Sequence, residues 1–295
     1  MNTQRPFRFG VNMVLAESRR DWVRKCRRVE ELGFDVLGVA DHLGMPAPFP
    51  AMAVAAEATE RVRLTTFVLN TPFYNPVLLA REVAGLDQLT DGRVELGLGA
   101  GYVKAEFEQA GIPFESGGRR VAHLERTATT LRRLFADPDH RPRPAQPAGP
   151  PLLIAGWGDR LLRVAAAHAR IIGFTGAAAA RDGGPLLLAG ERQLGERVDF
   201  VRAALGERAS EVELNLLIQR VAGDGAAATE LFETYRPAMV PEAAVDPRSV
   251  PTLLAGSPEA AAERLHELRE RFGISYFTVL EDSMEAFAPI LARAR

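Results

Sequence analysis

The sequence predicts an α/β fold, a (β/α)8 TIM barrel, on three observations. Eight short apolar runs of strand length alternate with helical stretches along a chain of 295 residues. That length suits one barrel domain, which typically needs roughly 250 residues. Polar or glycine-rich groups follow one strand end after another, as expected where the carboxyl ends of parallel strands share one face. The stretch 75–102 shows the repeating unit. Leu79, Val83, Leu86 and Leu89 recur at helical spacing as one apolar stripe, Thr90-Asp91-Gly92 stops the helix, and Val94 to Leu98 reads as a buried strand. Glycines at 97, 99 and 101 then let backbone come close to a ligand, or merely let strand and helix approach each other.

The other elements follow in order. Phe7 to Val14 is the first strand. Ser18 caps a helix whose buried face carries Trp22, Cys26 and Val29 and which Gly33 ends. Phe34 to Ala40 is the second strand and runs into Asp41-His42. After the loop MPAPFP, residues 51–60 read as an alanine-rich helix, and Val62 to Val68 as the third strand. Beyond the fourth strand, Lys104 to Gly118 reads as a loop of mixed character. A long helix from Arg119 to Phe135 turns Val121, Leu124, Ala128, Leu131 and Leu134 inward. The segment 137–151 holds six prolines and cannot continue that helix, so it reads as an excursion from a single domain spanning 1–295.

Pro151 to Ala155 is the fifth strand and ends in Gly156-Trp157-Gly158. Leu161 to His168 is a short helix, and Arg170 to Phe174 is the sixth strand. The loop 177–185 carries little sequence information and reads as mobile. Residues 191–205 are helical, and Val212 to Val221 is the seventh strand, while 223–250 has no clear pattern. Ser257-Pro258-Glu259 starts a helix with Ala261, Leu265, Leu268 and Phe272 inside. Ile274 to Leu280 is the eighth strand, and Ser283 to Ala292 a closing helix.

Composition narrows the function. The formal net charge is −2, and no dense basic patch tracks a phosphate backbone, which argues against nucleic-acid binding. Cys26 is the only cysteine, so no internal disulfide forms, and on an apolar helix face it reads as a packed small hydrophobe. No apolar run approaches the roughly 20 residues that span a bilayer, and the first residues lack the apolar core of a signal peptide. A cytoplasmic protein without membrane contact is the expectation.

The strand ends place Asp41-His42, Asn70, the glycine group 99–101, the group 156–158 and the end of the sixth strand around one mouth. Such a rim suits a flat ligand with an anionic tail better than a metal cage, and no histidine and carboxylate set has metal-ligand spacing. His123, His140, His168 and His266 fall in helices or in the proline segment. The run of glycines from 97 to 101 lacks the acid about 20 residues on that a dinucleotide site uses; Arg119 and Arg120 stand there instead. His42 carries an imidazole that can donate, accept or orient a proton, although the Asp41-His42 pair also reads as a tether for the loop that follows. Glu106 and Glu108 lie in the loop after the fourth strand; either can reach the mouth as a base, although solvated carboxylates are the commoner case in such a loop. Arg81, Arg119 and Arg120 can pair with phosphate or with neighbouring acids. No strand-end serine stands beside a base, so a triad hydrolase is unsupported. Trp157, between two glycines, can stack on or wall off a planar ring.

Four stretches carry a resemblance: 31–43 (ELGFDVLGVADHL), 62–102, 151–174 and 257–277. In that order they are similar to the bacterial luciferase-like monooxygenase superfamily and, within it, to actinobacterial oxidoreductases assigned to coenzyme F420. The resemblance implies a luciferase-like barrel holding a deazaflavin or flavin in its mouth. It implies Asp41 and His42 close to the ring, as catalytic and cofactor-binding residues. Phe67-Val68 matches a cis non-proline peptide backing the opposite face, and Asn70 matches a residue facing the cofactor. Ala100 and Gly101 match the loop around the tail, and Gly156, Trp157 and Gly158 the loop near the phosphate.

The implied function is F420-dependent hydride transfer to or from a small organic substrate. The alternatives are an FMN-dependent monooxygenase that uses oxygen and a separate reductase, and a barrel that binds cofactor without turnover. A flavin or F420 reductase as supplier and a homodimer are implied partners. The chain also departs from the pattern. The fourth-strand loop continues as Gly101-Tyr102-Val103-Lys104, and Trp157 stands where small residues are usual. A glutamate next to the glycine, as in the sugar-phosphate dehydrogenase branch, is missing, which speaks against glucose 6-phosphate.

Overall fold

The computed structural model describes residues 5–14, 16–179 and 186–295. The apolar runs form strands β1 (Arg8–Met13), β2 (Val36–Val39), β3 (Arg63–Thr66) and β4 (Val94–Gly99), then β5 (Leu152–Gly156), β6 (Ile171–Phe174), β7 (Glu213–Ile218) and β8 (Ile274–Leu280). All neighbouring pairs are parallel, in the order β3-β2-β1-β8-β7-β6-β5-β4, and β3 pairs with β4 to close the ring. The helices between them are α1 (Arg19–Glu31), α2 (Pro48–Ala58), α3 (Pro76–Leu89), α4 (Lys104–Gln109), α5 (Gly117–Ala136), α6 (Asp159–His168), α7 (Glu191–Leu205), α8 (Ala226–Tyr235), α9 (Pro258–Phe272) and α10 (Met284–Ala294). The predicted (β/α)8 barrel is the fold observed.

The helix starts follow their side chains. Ser18 accepts from the Asp21 N–H, Asn75 from those of Val77 and Leu78, and Ser257 from that of Ala260, each satisfying donors that the first turn leaves free. The predicted inner stripes of α1, α5 and α9 are buried between helix and sheet. Cys26 lies among them, and burial pushes its thiol up to about 12, as suits a packed group rather than a nucleophile.

Several expectations are corrected. α2 begins at Pro48, inside the loop MPAPFP, because proline is suited to the first helical turn. Leu89 is 79% exposed, since Asp87 and Thr90 take the inward direction at the end of α3. Buried Asp87 accepts from the backbone N–H and the side-chain amide of Gln146, and so pins the proline-rich excursion to the barrel wall. The loop from Lys104 contains α4. The seventh strand is two pieces: β7 ends at Ile218, and Arg220–Ala222 leaves the barrel to pair with Leu253–Ala255. That excursion builds a small satellite core from Leu231, Met239, Val250 and Leu253. Of the loop predicted over 177–185, Ala177–Ala179 pairs antiparallel with Leu186–Leu188, and 180–185 lie outside the described residues. Among the described residues no helix is long and apolar enough to cross a membrane.

The seam between β3 and β4 has a special construction. Only Leu64 with Val94 and Thr65 with Glu95 pair directly. At the next position the Thr66 hydroxyl takes over, donating to the Gly97 carbonyl at 2.8 Å and accepting from the Gly97 N–H at 3.0 Å. The chain bulges at Phe67–Val68, whose peptide is cis, and Leu69–Asn70 then rejoins Leu98 and Gly99. The bulge fits because β4 carries glycine opposite it. A Cβ on Gly97 would lie 1.9 Å from the Thr66 carbonyl oxygen, and one on Gly99 would lie 2.6 Å from Val68. Thr66→Val is therefore expected to lower the unfolding free energy by roughly 1–3 kcal/mol, the cost of stranding buried backbone partners. Gly97→Ala should cost more, because the atom it meets is backbone; urea denaturation of both variants tests the order.

Candidate active site

The carboxyl ends of the strands surround a cavity of about 600 Å³, within the size range of small-molecule sites. Every residue that the resemblance implies for the site lines it: Asp41, His42, Phe67, Val68, Asn70, Ala100, Gly101, Gly156, Trp157 and Gly158. They come from the ends of β2 to β5 and meet only because parallel strands deliver their carboxyl ends to one face. Trp157 is half-buried and meets Phe174 edge-on, with ring centroids 6.5 Å apart, so it forms a wall of the cavity.

The charged groups differ in what holds them. Asp41 accepts from the Asn70 N–H at 2.8 Å and from the Tyr74 hydroxyl. Burial pushes its carboxyl above the ordinary aspartate value, against the pull of those two donors and of neighbouring His42, with Glu106 adding to the rise. Burial and the adjacent Asp41 carboxylate together raise the Tyr74 hydroxyl. Asp41 thus ties the rejoined seam at Asn70 to the loop after β2.

His42 is bound to Glu106, with Nδ1 and Oε1 2.7 Å apart. The sequence leaves open whether Glu106 or Glu108 reaches the mouth as a base or stays in solvent. The structure separates them: the Glu106 side chain is 13% exposed and turns into the cavity, whereas Glu108 is exposed and pairs with Lys104. α4 causes the split, because Phe107 is fully buried against Phe73 and Phe114 and fixes which face of the helix looks inward. A carboxylate thus stands in the cavity although none adjoins Gly101 in the sequence. A carboxylate only accepts, so the proton sits on Nδ1 of His42 and Nε2 is the nitrogen left for a ligand. Tyr102 closes the group, its ring 5.9 Å from that of His42 and edge-on to it.

The glycines divide by role. Gly97 and Gly99 make room for the bulge, as the seam shows. Gly101, at φ +73°, brings backbone against Asn70, whose Oδ1 would be 2.2 Å from an added Cβ. Gly158 is the N-cap of α6 and lines the cavity, and no side chain caps that helix end, so the start of α6 lies at the cavity rim. Free N–H groups at a helix start suit an anion, and the cavity's size and apolar walls suit a flat ring. The residues present therefore fit a flavin-like cofactor with a phosphate. Arg119 and Arg120 do not join it; they line a separate groove, Arg119 paired with Glu115 and Arg120 bound to the Gly101 carbonyl oxygen. Arg81 is exposed on α3. Asn12 and Asn215 also line the cavity and were missed; a lone polar residue in an otherwise buried strand was the available signal.

Comparison with known proteins places this geometry in context. The family profile described as luciferase-like monooxygenase matches residues 4–275. An F420-dependent glucose-6-phosphate dehydrogenase of Intrasporangium calvum is 33% identical over 171 residues, which is 50% of this chain and 51% of that protein. A 4-hydroxyprotoasukamycin monooxygenase of Streptomyces nodosus is 34% identical over 99 residues, 32% of this chain and 27% of that one. The chain thus spans about half, or less, of the length of these curated relatives. Among solved structures, the F420-dependent tetrahydromethanopterin reductase of Methanopyrus kandleri superposes with a TM-score of 0.76 at 16% identity, covering 99% of this chain and 100% of that one, a likeness of fold.

The buried carboxyl has a consequence for stability. A group whose value is raised on folding adds stability that is complete below the unfolded value, about 3.9 for aspartate, and is lost as pH rises through the folded value. Asp41→Asn should abolish that loss. Urea unfolding from acid to neutral pH is expected to show the variant gaining on the native protein just above the ordinary aspartate range and running parallel to it at neutrality.

Proposed function

The chain belongs to the luciferase-like monooxygenase family, and from that premise we propose that it is an oxidoreductase transferring a hydride between coenzyme F420 and a small organic substrate. The observation that carries the reading is the His42–Glu106 pair at 2.7 Å, set in an otherwise largely apolar cavity. The F420-dependent relatives support the choice of cofactor.

Bound F420 would supply the hydride donor or acceptor. The protein supplies the proton side. Nε2 of His42 takes a proton from a substrate hydroxyl during oxidation and returns it during reduction. Glu106 holds the Nδ1–H and stabilises the charge that His42 gains. Asp41, with Asn70 and Tyr74, positions the loop that carries His42. Phe67, Val68 and Trp157 wall the ring, and the N–H groups at Gly158 and the start of α6 hold the phosphate, with Ala100 and Gly101 along the tail. A single barrel domain, acting as a cytoplasmic homodimer with a reductase as cofactor supplier, completes the proposal.

Parallel titrations with F420 and FMN in both redox states test it. Tight F420 binding with weak FMN binding is expected. Preference for reduced FMN, with substrate-dependent oxygen consumption, would replace the reading with a monooxygenase served by a separate reductase. In the F420 system, His42→Ala should lower turnover by about 100-fold or more while leaving the F420 dissociation constant nearly unchanged. Equal losses in both would remove His42 from the proton step.

A further inference from the structure

We infer that Arg120 is a positioning residue of the site: it holds the segment 101–115 in the shape that sets Glu106 against His42. For its meaning in turnover the inference rests on the proposed function, to which it adds a residue outside the cavity.

The segment has little of its own to hold it. α4 has six residues, and no side chain caps its start. A helix that short is not stable by itself, so the direction of Glu106 is set by contacts from outside. Arg120, near the start of α5, supplies them at both ends of the segment. Its Nε donates to the Gly101 carbonyl oxygen at 3.1 Å, and Nη1 donates to the Glu115 carbonyl oxygen. The guanidinium lies over the Phe114 ring, 4.0 Å from its centroid. Phe114 in turn meets Phe107 with ring centroids 5.0 Å apart, and Phe107 meets Phe73 at the same distance. Phe107 is fully buried and directly follows Glu106, whose Oε1 lies 2.7 Å from Nδ1 of His42. One side chain thus ties the start of the segment, its end and the ring stack that anchors α4.

The choice of arginine follows from that geometry. Two carbonyl oxygens and a ring face call for donors in a fixed plane on a flat cation, which a guanidinium offers and an ammonium does not. Among the described residues no carboxylate pairs with Arg120, and desolvation holds its pKa below the usual arginine range. Its neighbour Arg119 pairs with Glu115 at the surface instead. The two arginines carry the same charge at adjacent positions, and only Arg120 reaches the loop backbone at Gly101.

The test reads the His42–Glu106 bond first, without cofactor. The imidazole Nδ1–H of His42 is followed by NMR of the full chain carrying isotope-labelled histidine and assigned by its absence from His42→Ala. A signal protected from exchange is expected in the native protein and in Arg119→Met, and its loss in Glu106→Ala and in Arg120→Met. Arg120→Lys, which keeps the charge and loses the fork, should lose it as well, and it takes the place of Arg120→Met if that variant does not fold. Turnover is read next, on the F420-loaded protein. Arg120→Met is expected to lower kcat by about tenfold or more with KM nearly unchanged, since misplacing a group by about 1 Å can cost about 100-fold. In a Glu106→Ala background the same substitution should cost less than about twofold, because the pair through which Arg120 acts is already gone. Retention of the protected signal in the Arg120 variants, its loss in Arg119→Met, its absence from the native protein, or equal losses of turnover with and without Glu106 would each overturn the inference. Failure of F420 to bind or to support turnover would instead remove the proposed function, and the NMR result on Arg120 would stand apart from it.

Discussion

The barrel closes at the seam between β3 and β4, and the site exists because that seam is imperfect. A parallel strand of ordinary side chains would run alongside β4 to its end and fill the lumen. Here the direct pairing stops after two residues, and the Thr66 hydroxyl stands in for backbone on both sides of the break. Gly97 and Gly99 leave room for the displaced chain. A glycine in a strand costs roughly 0.5–1 kcal/mol relative to alanine, a cost the packing at the seam offsets. In return, Phe67 and Val68 enter the cavity. The rejoined backbone reaches the Asp41 carboxyl through Asn70, and the Thr71 hydroxyl reaches the Gly99 carbonyl oxygen. The bonds that close the barrel and those that shape the cavity share the same few residues.

The two ends of the barrel handle charge in opposite ways. At the amino ends of the strands, Arg8 bridges Glu95 and Glu213 at 2.5 Å each, Arg63 joins Glu95 at 2.7 Å, and the Arg8 guanidinium lies over the Tyr276 ring. Buried ions of this kind need opposite partners, because desolvation would otherwise exceed their attraction. Above that layer the lumen is lined by apolar side chains such as Leu153 and Ile171, before the carboxamides of Asn12 and Asn215. The mouth thus receives no cation from below.

Periodicity and strand ends were enough to read the barrel and the ring of residues at its mouth. Buried strands and amphipathic helices leave strong signals, and convergence of strand ends follows from topology alone. What stayed hidden was short or tertiary in origin. α4 has six residues, too few for an apolar stripe to show, so the inward turn of Glu106 depends on Phe107 packing against rings from other loops. The run over 212–221 looks continuous because both pieces are apolar, and only pairing with Leu253–Ala255 divides it. Leu89 fitted the stripe of α3 by spacing, yet a helix advances 3.6 residues per turn, which carries the inward direction to Thr90. The role of Gly97 and Gly99 was out of reach for the same reason: the atoms that require their hydrogen side chains belong to another strand.

The two carboxylates beside His42 illustrate how environment, rather than residue type, divides tasks. From the sequence, Asp41 adjoins His42, and the pair reads either as a tether for the loop or, by resemblance, as residues close to the ring. In the structure the Asp41 oxygens are engaged by a backbone N–H and a tyrosine hydroxyl, both of which hold the loop rather than the imidazole. Glu106, distant in sequence, takes the imidazole instead. A carboxylate fixed to Nδ1 sets the tautomer, orients the ring and leaves the opposite nitrogen for the cavity. The same loop residue is thus anchored twice, through Asp41 to the seam and through Glu106 to α4. A ligand in contact with Nε2 therefore meets an imidazole whose position is set by both closures of the barrel mouth.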